Sequence, residues 1–343
     1  MSTETLPDTT RIVLASRPHG EPTAENFRTE TVATAAPGEG ELLVRTQYLS
    51  LDPYMRGRMS DAESYAAPTP VDGVMPAGTV GEVVVSRADG FAPGDVVLAY
   101  GGWQSHAVVP AAHVRKVDPA TAPVSTALGV LGMPGFTAYA GLAAIGRPQP
   151  GETVVTAAAA GPVGSAVGQI ARQRGARAVG IAGGPRKLEM LRELGFDAVV
   201  DHRSDTFAED LAAAVPDGVD VYFENVGGRV TREVWRHLNL YARVPVCGLV
   251  SGYNATSLPE GPDRVPALMS SVLTKSLTLR GFIQTEFVPT HHDDFLREMG
   301  GWVADGSVRY HEDVVEGLEQ APAAFVGMLR GENHGKLVVR VAD

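Results

Sequence analysis

Two textures of hydrophobic and polar positions divide the chain. From Arg11 to about Ala127 the apolar residues come in short alternating runs cut by Gly, Pro and Asp, as in ELLVRTQYLSL, AGTVGEVVVS, GDVVLAYGGWQSHAVVP and HVRKVDP. Alternation of this kind between turn residues predicts an all-β module. Near Ser125 the spacing becomes helical in STALGVLGMPGFTAYAGLAAIG, broken by Pro134 and Gly135. A cycle then begins. ETVVTAAA, ARAVGIAG, DAVVDH, GVDVYFENVG and ARVPVCGLV read as strands, and GPVGSAVGQIARQRG, PRKLEMLRELG, SDTFAEDLAAAVP and GRVTREVWRHLN between them as helices. That alternation predicts βαβ units with right-handed crossovers on a parallel sheet. After Ser251 a stretch rich in Gly, Asn, Ser and Pro reaches Pro266. A helix in PALMSSVLTK, a strand in LTLRGFIQ, a helix in HHDDFLREMGGWVADG and a closing strand in GKLVVRV follow, the last rejoining the first module. The expected class is α/β, a doubly wound parallel sheet with a separate β module.

Composition narrows the choices. A length of 343 residues favours two domains, and 44% apolar with 20% charged residues is globular. The formal charge of -11 argues against a nucleic-acid backbone or an anionic membrane surface as the main partner. One cysteine, Cys247, excludes an internal disulfide and a cysteine-based zinc site, which fits a cytoplasmic protein. The start MSTETLPDTTRIVL lacks the basic and apolar regions of a signal peptide, and no apolar run approaches the ~20 residues of a membrane span.

The stretch AAAAGPVGSAVGQIARQRG carries the first chemistry. Against the dinucleotide fingerprint G-x-G-x-x-G it places Ala159, Gly161 and Gly164 at the three glycine positions, after a strand and before a helix. Gly161 lets the backbone approach a pyrophosphate, Gly164 allows close helix packing, and Pro162 suits a first helical turn. Free N–H groups at that helix start attract phosphates. An enzyme using NAD would place Asp or Glu at the end of the second strand, but this strand ends IAGGPRK. Arg186 and Lys187 follow instead, cations suited to a 2′-phosphate, so the expected cofactor is NADPH. A solvated helix start is the other reading of the pair.

Further motifs carry a family likeness. YLSLDPYMRGRM, GMPGFTAY, AAAGPVGSAVGQIA, VYFENVGG, VCGLVSGYN, LRGFI and GENHGK together resemble the zinc-independent medium-chain dehydrogenase/reductases of the prostaglandin reductase and alkenal/one reductase branch. RMSDAESYAAP and AYGGWQSHAVV are similar to the bacterial curcumin reductases of that branch. The resemblance runs from Arg11 to Val341. It implies a GroES-like β-barrel catalytic domain (1–127), a Rossmann NADP-binding domain (128–303), a C-terminal segment (304–343) returning to the catalytic domain, and a homodimer. It also implies hydride transfer from NADPH to the β-carbon of an α,β-unsaturated aldehyde or ketone.

Carried over by motif, Gly161, Pro162, Val163 and Gly164 hold the pyrophosphate, Lys187 beside Arg186 meets the 2′-phosphate, and Asn225 lies near the ribose. Cys247, Gly248, Ser251 and Tyr253 line the nicotinamide side, Phe282, Ile283 and Gln284 add the next strand's contact, and Asn333 reaches the nicotinamide end. His202 stands where prostaglandin reductases have a tyrosine beside the adenosine phosphate. Zinc-dependent relatives need several cysteines; here Cys247 is alone, on a predicted strand. The adjacent His291 and His292 would point about 100° apart on a helix and read as solvated residues, so no metal site is expected.

Adding hydride to the β-carbon leaves an enolate, which needs hydrogen-bond donors at the carbonyl oxygen. Tyr253 is the first choice, and Tyr54 and Tyr65 match positions near the substrate; a core or interface aromatic is the other reading of each lone tyrosine. Arg56 and Arg58 either meet an anionic substrate or pair with Asp52 and Asp61. Trp103 is either a flat wall for a conjugated substrate or a packing residue. A quinone reductase and a non-catalytic NADPH-binding structural or sensor protein share the fold and remain open alternatives.

Overall fold

Alternating runs at the start and unbroken apolar runs in the middle give two kinds of strand in the computed structural model, which describes residues 6–342. Residues 1–5 and 343, at the ends of the expected N- and C-terminal segments, lie outside the described residues. The chain first forms β1 (Thr9–Leu14), β2 (Phe27–Val32), β3 (Glu41–Ser50), α1 (Tyr54–Arg58), β4 (Thr79–Ser86), β5 (Val96–Ala99), β6 (His106–Pro110) and β7 (Arg115–Lys116). Then come α2 (Met133–Ala140), β8 (Thr153–Ala157), α3 (Pro162–Gln173), β9 (Arg177–Ala182), α4 (Pro185–Glu193), β10 (Ala198–Asp201), α5 (Phe207–Ala214) and β11 (Val219–Phe223). They continue as α6 (Gly228–Val234), β12 (Leu238–Val246), α7 (Val265–Thr274), β13 (Thr278–Gly281) and α8 (Val288–Ala304), before β14 (Glu312–Glu316), α9 (Ala321–Leu329) and β15 (Lys336–Arg340).

The chain divides into two compact units. One holds residues up to Leu128 with Glu312–Asn333 and the stretch from Leu337 on; the other holds Gly129–His311 with His334–Lys336. The second unit runs past 303 because α8 ends at Ala304 and Val308 beyond it is buried with Phe295 and Met299.

In the second unit six parallel strands lie in the order β10-β9-β8-β11-β12-β13. Strand order reverses between β8 and β11, as in a doubly wound sheet. Every residue of β8 is buried, as expected where helices cover both faces. Neighbouring Tyr222 and Phe223 on β11 point to opposite faces: Phe223 packs with Phe136, Phe282 and Phe295, and Tyr222 with Phe207 and Val234. Glycine lets α3 lie close. A Cβ on Gly164 would sit 2.5 Å from the Ala158 carbonyl oxygen, and one on Gly168 would sit 2.1 Å from the Phe196 ring. Pro134 and Gly135 begin α2 instead of breaking a helix, since the first turn needs no N–H from proline.

In the first unit β1 and β2 form a ribbon beside an antiparallel sheet of order β14-β15-β3-β4-β5-β7. β4 pairs along one edge of β3; the other edge is shared, β6 taking Glu41–Arg45 and β15 taking Tyr48–Ser50. The strand in GGWQSHAVV begins only at His106. Trp103 before it is fully buried, stacked on Phe27 at 5.5 Å and edge-on to Phe325 at 5.7 Å. It is a packing residue of this core.

Candidate functional site

All six parallel strands of the second unit end at one edge of the sheet, where ligands of doubly wound folds bind. After β8 the chain turns sharply, with Ala158 at φ 50° and Gly161 donating to the Ala158 carbonyl at 3.0 Å. Gly161 is the N-cap of α3 and Pro162 starts its first turn; no side chain caps this end. The Val163 and Gly164 N–H groups in that first turn lie ahead of the intrahelical ladder, an arrangement that attracts anions. Two tethers hold the turn: Ala159 N–H donates to Ile181 at 2.9 Å, and Gly335 N–H to Ala160 at 3.1 Å. A side chain at Gly335, φ 76°, would strike the His311 carbonyl oxygen, its Cβ only 2.2 Å away. The last glycine of GENHGK therefore anchors the loop, a role its motif alone did not reveal.

The turn after β9 carries no carboxylate of its own, as the sequence predicts. Asp201 supplies one from the end of neighbouring β10, and both its oxygens are engaged by main chain, accepting from Gly184 at 3.1 Å and Arg203 at 2.8 Å. Arg186 is exposed and Lys187 half-buried in the first turn of α4. The half-buried His202 imidazole is pushed below its ordinary value chiefly by burial, with Arg203, Lys187 and Arg229 adding and Asp201 opposing. Arg229, unforeseen from sequence, reaches here from α6, its guanidinium 5.4 Å from the Phe207 ring centre. The uncapped helix start and this group of cations fit a phosphorylated dinucleotide.

Across the strand reversal the Asn225 amide donates to the Ala157 carbonyl at 2.9 Å. Beside it the buried Glu224 carboxylate accepts from the N–H groups of Val226 at 2.7 Å and Gly227 at 2.9 Å, and from the hydroxyls of Tyr222 at 3.1 Å and Thr231. The Glu224 carbonyl accepts from Cys247 at 2.9 Å and Gly248 at 3.2 Å. One residue missed at the sequence level thus joins the loops after β11 and β12.

Cys247 lies one residue past β12, not on the strand as expected. It retains some exposed surface, yet burial of its thiol, with Glu224 adding, pushes it up to about 12. It stays protonated and is a poor nucleophile. A Cβ on Gly248 would stand 3.3 Å from the Tyr253 hydroxyl, so that phenol lies against the end of the β12 loop. Ser251 donates to the Val226 carbonyl at 2.6 Å. Phe282 is buried edge-on to Phe223 at 6.1 Å, leaving its backbone and the half-buried Ile283 and Gln284 at the strand end. Asn333 belongs to the other unit, one position before His334.

The first unit brings Tyr54 and Tyr65 together around one cation. The Arg58 guanidinium lies 4.6 Å from the Tyr65 ring centre and 5.7 Å from that of Tyr54, and donates to the Ala66 carbonyl at 2.9 Å. The Tyr54 hydroxyl is enclosed without a hydrogen-bond partner, and burial pushes it well above its ordinary value, with Tyr100, Asp52 and Tyr65 acting the same way. Asp61 stands 3.8 Å from Arg17, and Arg58 takes the aromatic rings instead of that carboxylate. Arg56 is buried and donates to the Gly20 carbonyl at 2.8 Å.

His291 and His292 are half-buried, not solvated: one ring lies 5.7 Å from Phe287, the other 5.2 Å from Phe136. Among the described residues no group of three or more His, Cys, Asp or Glu side chains is placed to hold a metal ion. None of the described helices is long and apolar enough to cross a membrane.

Comparison with known proteins agrees with this architecture. Residues 10–117 match the family model described as the N-terminal domain of oxidoreductase, and residues 162–299 match that described as zinc-binding dehydrogenase. The chain is 54% identical over 333 residues to the NADPH-dependent curcumin reductase of Escherichia coli (strain K12), covering 97% of this chain and 96% of that protein. It is 40% identical over 326 residues to prostaglandin reductase 1 of Oryctolagus cuniculus, covering 93% of this chain and 89% of that protein. The crystal structure of CurA in complex with NADPH from Vibrio vulnificus superposes with a TM-score of 0.93 at 50% identity, over 97% of this chain and 99% of that one. With a doubly wound unit, an antiparallel β unit and relatives of this identity along its length, the chain belongs to the medium-chain dehydrogenase/reductase superfamily, in the group of the curcumin and prostaglandin reductases.

Proposed function

We propose that this protein is an NADPH-dependent reductase that saturates the α,β double bond of enals and enones. The observation that carries the reading is the uncapped start of α3, with Lys187, Arg203 and Arg229 gathered around His202, in a chain 54% identical to an NADPH-dependent curcumin reductase. NADPH bound there supplies the hydride. The α3 N-terminus receives the pyrophosphate, Lys187, Arg203 and Arg229 the 2′-phosphate, and Asn225 with the Cys247–Gly248 turn the nicotinamide half. Hydride arriving at the β-carbon sends electrons to the carbonyl oxygen. Tyr253, whose hydroxyl lies against the end of the β12 loop, is the donor assigned to that oxygen, and the α-carbon takes its proton from water.

A second copy of the chain is the proposed partner. β13 is an edge strand with all four residues exposed, and α7 beside it buries none of its ten, leaving Val265, Met269 and Leu273 in solvent. Unpaired edge groups and apolar surface of this kind suit an isologous contact. The lone cysteine is in keeping with a cytoplasmic enzyme.

Following NADPH absorbance with a 2-alkenal, an enone and a quinone in parallel tests the reading. Oxidation with the first two is expected. Turnover confined to the quinone would make it a quinone reductase, and none with any would favour a binding protein. Tyr253→Phe is expected to lower kcat by more than about tenfold, as loss of one donor to an oxyanion does.

A further inference from the structure

Burying a carboxylate costs free energy unless donors surround it, and four donors meet Glu224 just past the end of β11. The N–H groups of Val226 at 2.7 Å and Gly227 at 2.9 Å and the Tyr222 hydroxyl at 3.1 Å reach one oxygen; the Thr231 hydroxyl reaches the other. The main chain of the same residue pairs with β12 and the loop after it. Its N–H donates to the Pro245 carbonyl at 2.9 Å, and its carbonyl accepts from Cys247 at 2.9 Å and Gly248 at 3.2 Å.

The turn held by this carboxylate supports another in its place. Asn225 and Val226 offer their carbonyls to the N–H groups of Val250 at 3.2 Å and Ser251 at 3.0 Å, and the Ser251 hydroxyl adds a bond of 2.6 Å to Val226. The two turns lie close: a Cβ on Gly227, φ 81°, or on Gly228, φ 62°, would stand 3.2 Å from the Ser251 Oγ. Tyr253 follows directly, its N–H donating to the Val250 carbonyl at 3.2 Å. An unbroken run of hydrogen bonds, all within one unit, thus leads from the Glu224 carboxylate to the main chain of Tyr253.

We propose that Glu224 is a positioning residue whose buried carboxylate, acting through the Val226–Gly227 turn, holds Tyr253 and the Cys247–Gly248 turn in place for hydride transfer. The role given to Tyr253 rests on the enone-reductase reading; the coupling of the two loops does not. A charged acceptor suits the task because it binds N–H groups more strongly than a neutral one.

Glu224→Ala and Glu224→Gln are compared with wild type by amide hydrogen exchange, by kcat with NADPH and 3-penten-2-one, and by affinity for 2′,5′-ADP, which carries the adenosine end alone. In Glu224→Ala, exchange in residues 225–228 and 247–253 is expected to quicken about tenfold while that of β8 stays as in wild type. The kcat should fall about ten- to hundredfold, as displacement of a reacting group does, with 2′,5′-ADP affinity moving by less than about twofold. Glu224→Gln should lie between, since it keeps an oxygen for the two N–H groups. Wild-type exchange in both loops of Glu224→Ala, or 2′,5′-ADP affinity lost in proportion to kcat, would overturn the proposal. If Glu224→Ala does not fold, Glu224→Gln decides alone: loop exchange about threefold faster and kcat about threefold lower are expected, and wild-type values of both would overturn it. Failure of wild type to reduce the enone would remove the enone reading, while the exchange rates would still judge the coupling of the loops.

Discussion

The Asn225 side-chain amide and the Ala157 carbonyl, 2.9 Å apart, bridge the carboxyl ends of β11 and β8 where the strand order reverses. This is the crevice in which doubly wound folds seat a dinucleotide, so the bond fixes its width. Asn225→Ala is expected to cost about 1 kcal/mol of stability and to weaken NADPH binding about fivefold, measured by cofactor fluorescence titration. Asn225→Asp should be worse, because a carboxylate would face the Ala157 carbonyl. Wild-type binding in both variants would mean that the bridge does not organise the crevice.

Lys187 is the cation proposed to set cofactor choice. A charge-assisted hydrogen bond contributes about 1.5–3 kcal/mol, so Lys187→Ala should raise the KM for NADPH roughly ten- to hundredfold. The KM for NADH, which lacks the phosphate, should move by less than about twofold. Equal effects on the two cofactors would remove Lys187 from the phosphate site.

His202 predicts an acid dependence of stability. Its pKa is lowered in the folded protein from an ordinary value of 6.5, mainly by burial, so over that interval the unfolded chain binds more protons. Stability is therefore full above 6.5 and is lost as pH falls from there towards the folded value. Melting temperatures scanned from about pH 7.5 to about pH 5 should fall on the acid side, and less in His202→Gln. NADPH should reduce the fall further, since a phosphate near the imidazole favours its charged form. A melting curve that responds to pH identically in both proteins would contradict this.

Ala158 sits at φ 50°, where a residue with a Cβ pays about 1–2 kcal/mol and glycine does not. Part of the gain from glycine is offset by its freer unfolded chain, so Ala158→Gly should stabilise by about 1 kcal/mol. Calorimetry should show a rise of roughly 1–2 °C. A fall would show that the Ala158 methyl contributes more by packing than its backbone strain costs.

The repeating βα units, the glycine turn and the missing carboxylate after β9 were legible because each is written in consecutive residues. Contacts made between strands were not. Asp201 serves the turn after β9 although it belongs to β10, and Glu224 joins two loops through a buried carboxylate. Gly335 reaches the Ala160 carbonyl from far along the chain. Trp103 was ambiguous because its aromatic run fits a wall or a core, and only its place between Phe27 and Phe325 decides. Arg58 was expected to choose between carboxylates and an anionic ligand, but two tyrosine rings hold it.

The shared edge of β3 has a consequence for synthesis. Half of that edge stays open until β15 arrives, and Arg340 meets the Tyr48 hydroxyl across 292 positions of sequence. At ribosomal rates of about 5–20 residues per second that is a wait on the order of tens of seconds. The parallel sheet, drawn wholly from the continuous stretch Gly129–His311, emerges complete in the meantime. The middle of the chain is thus set to fold before the beginning, and a nascent protein truncated short of β15 would expose an unpaired stretch of β3 to any other strand nearby.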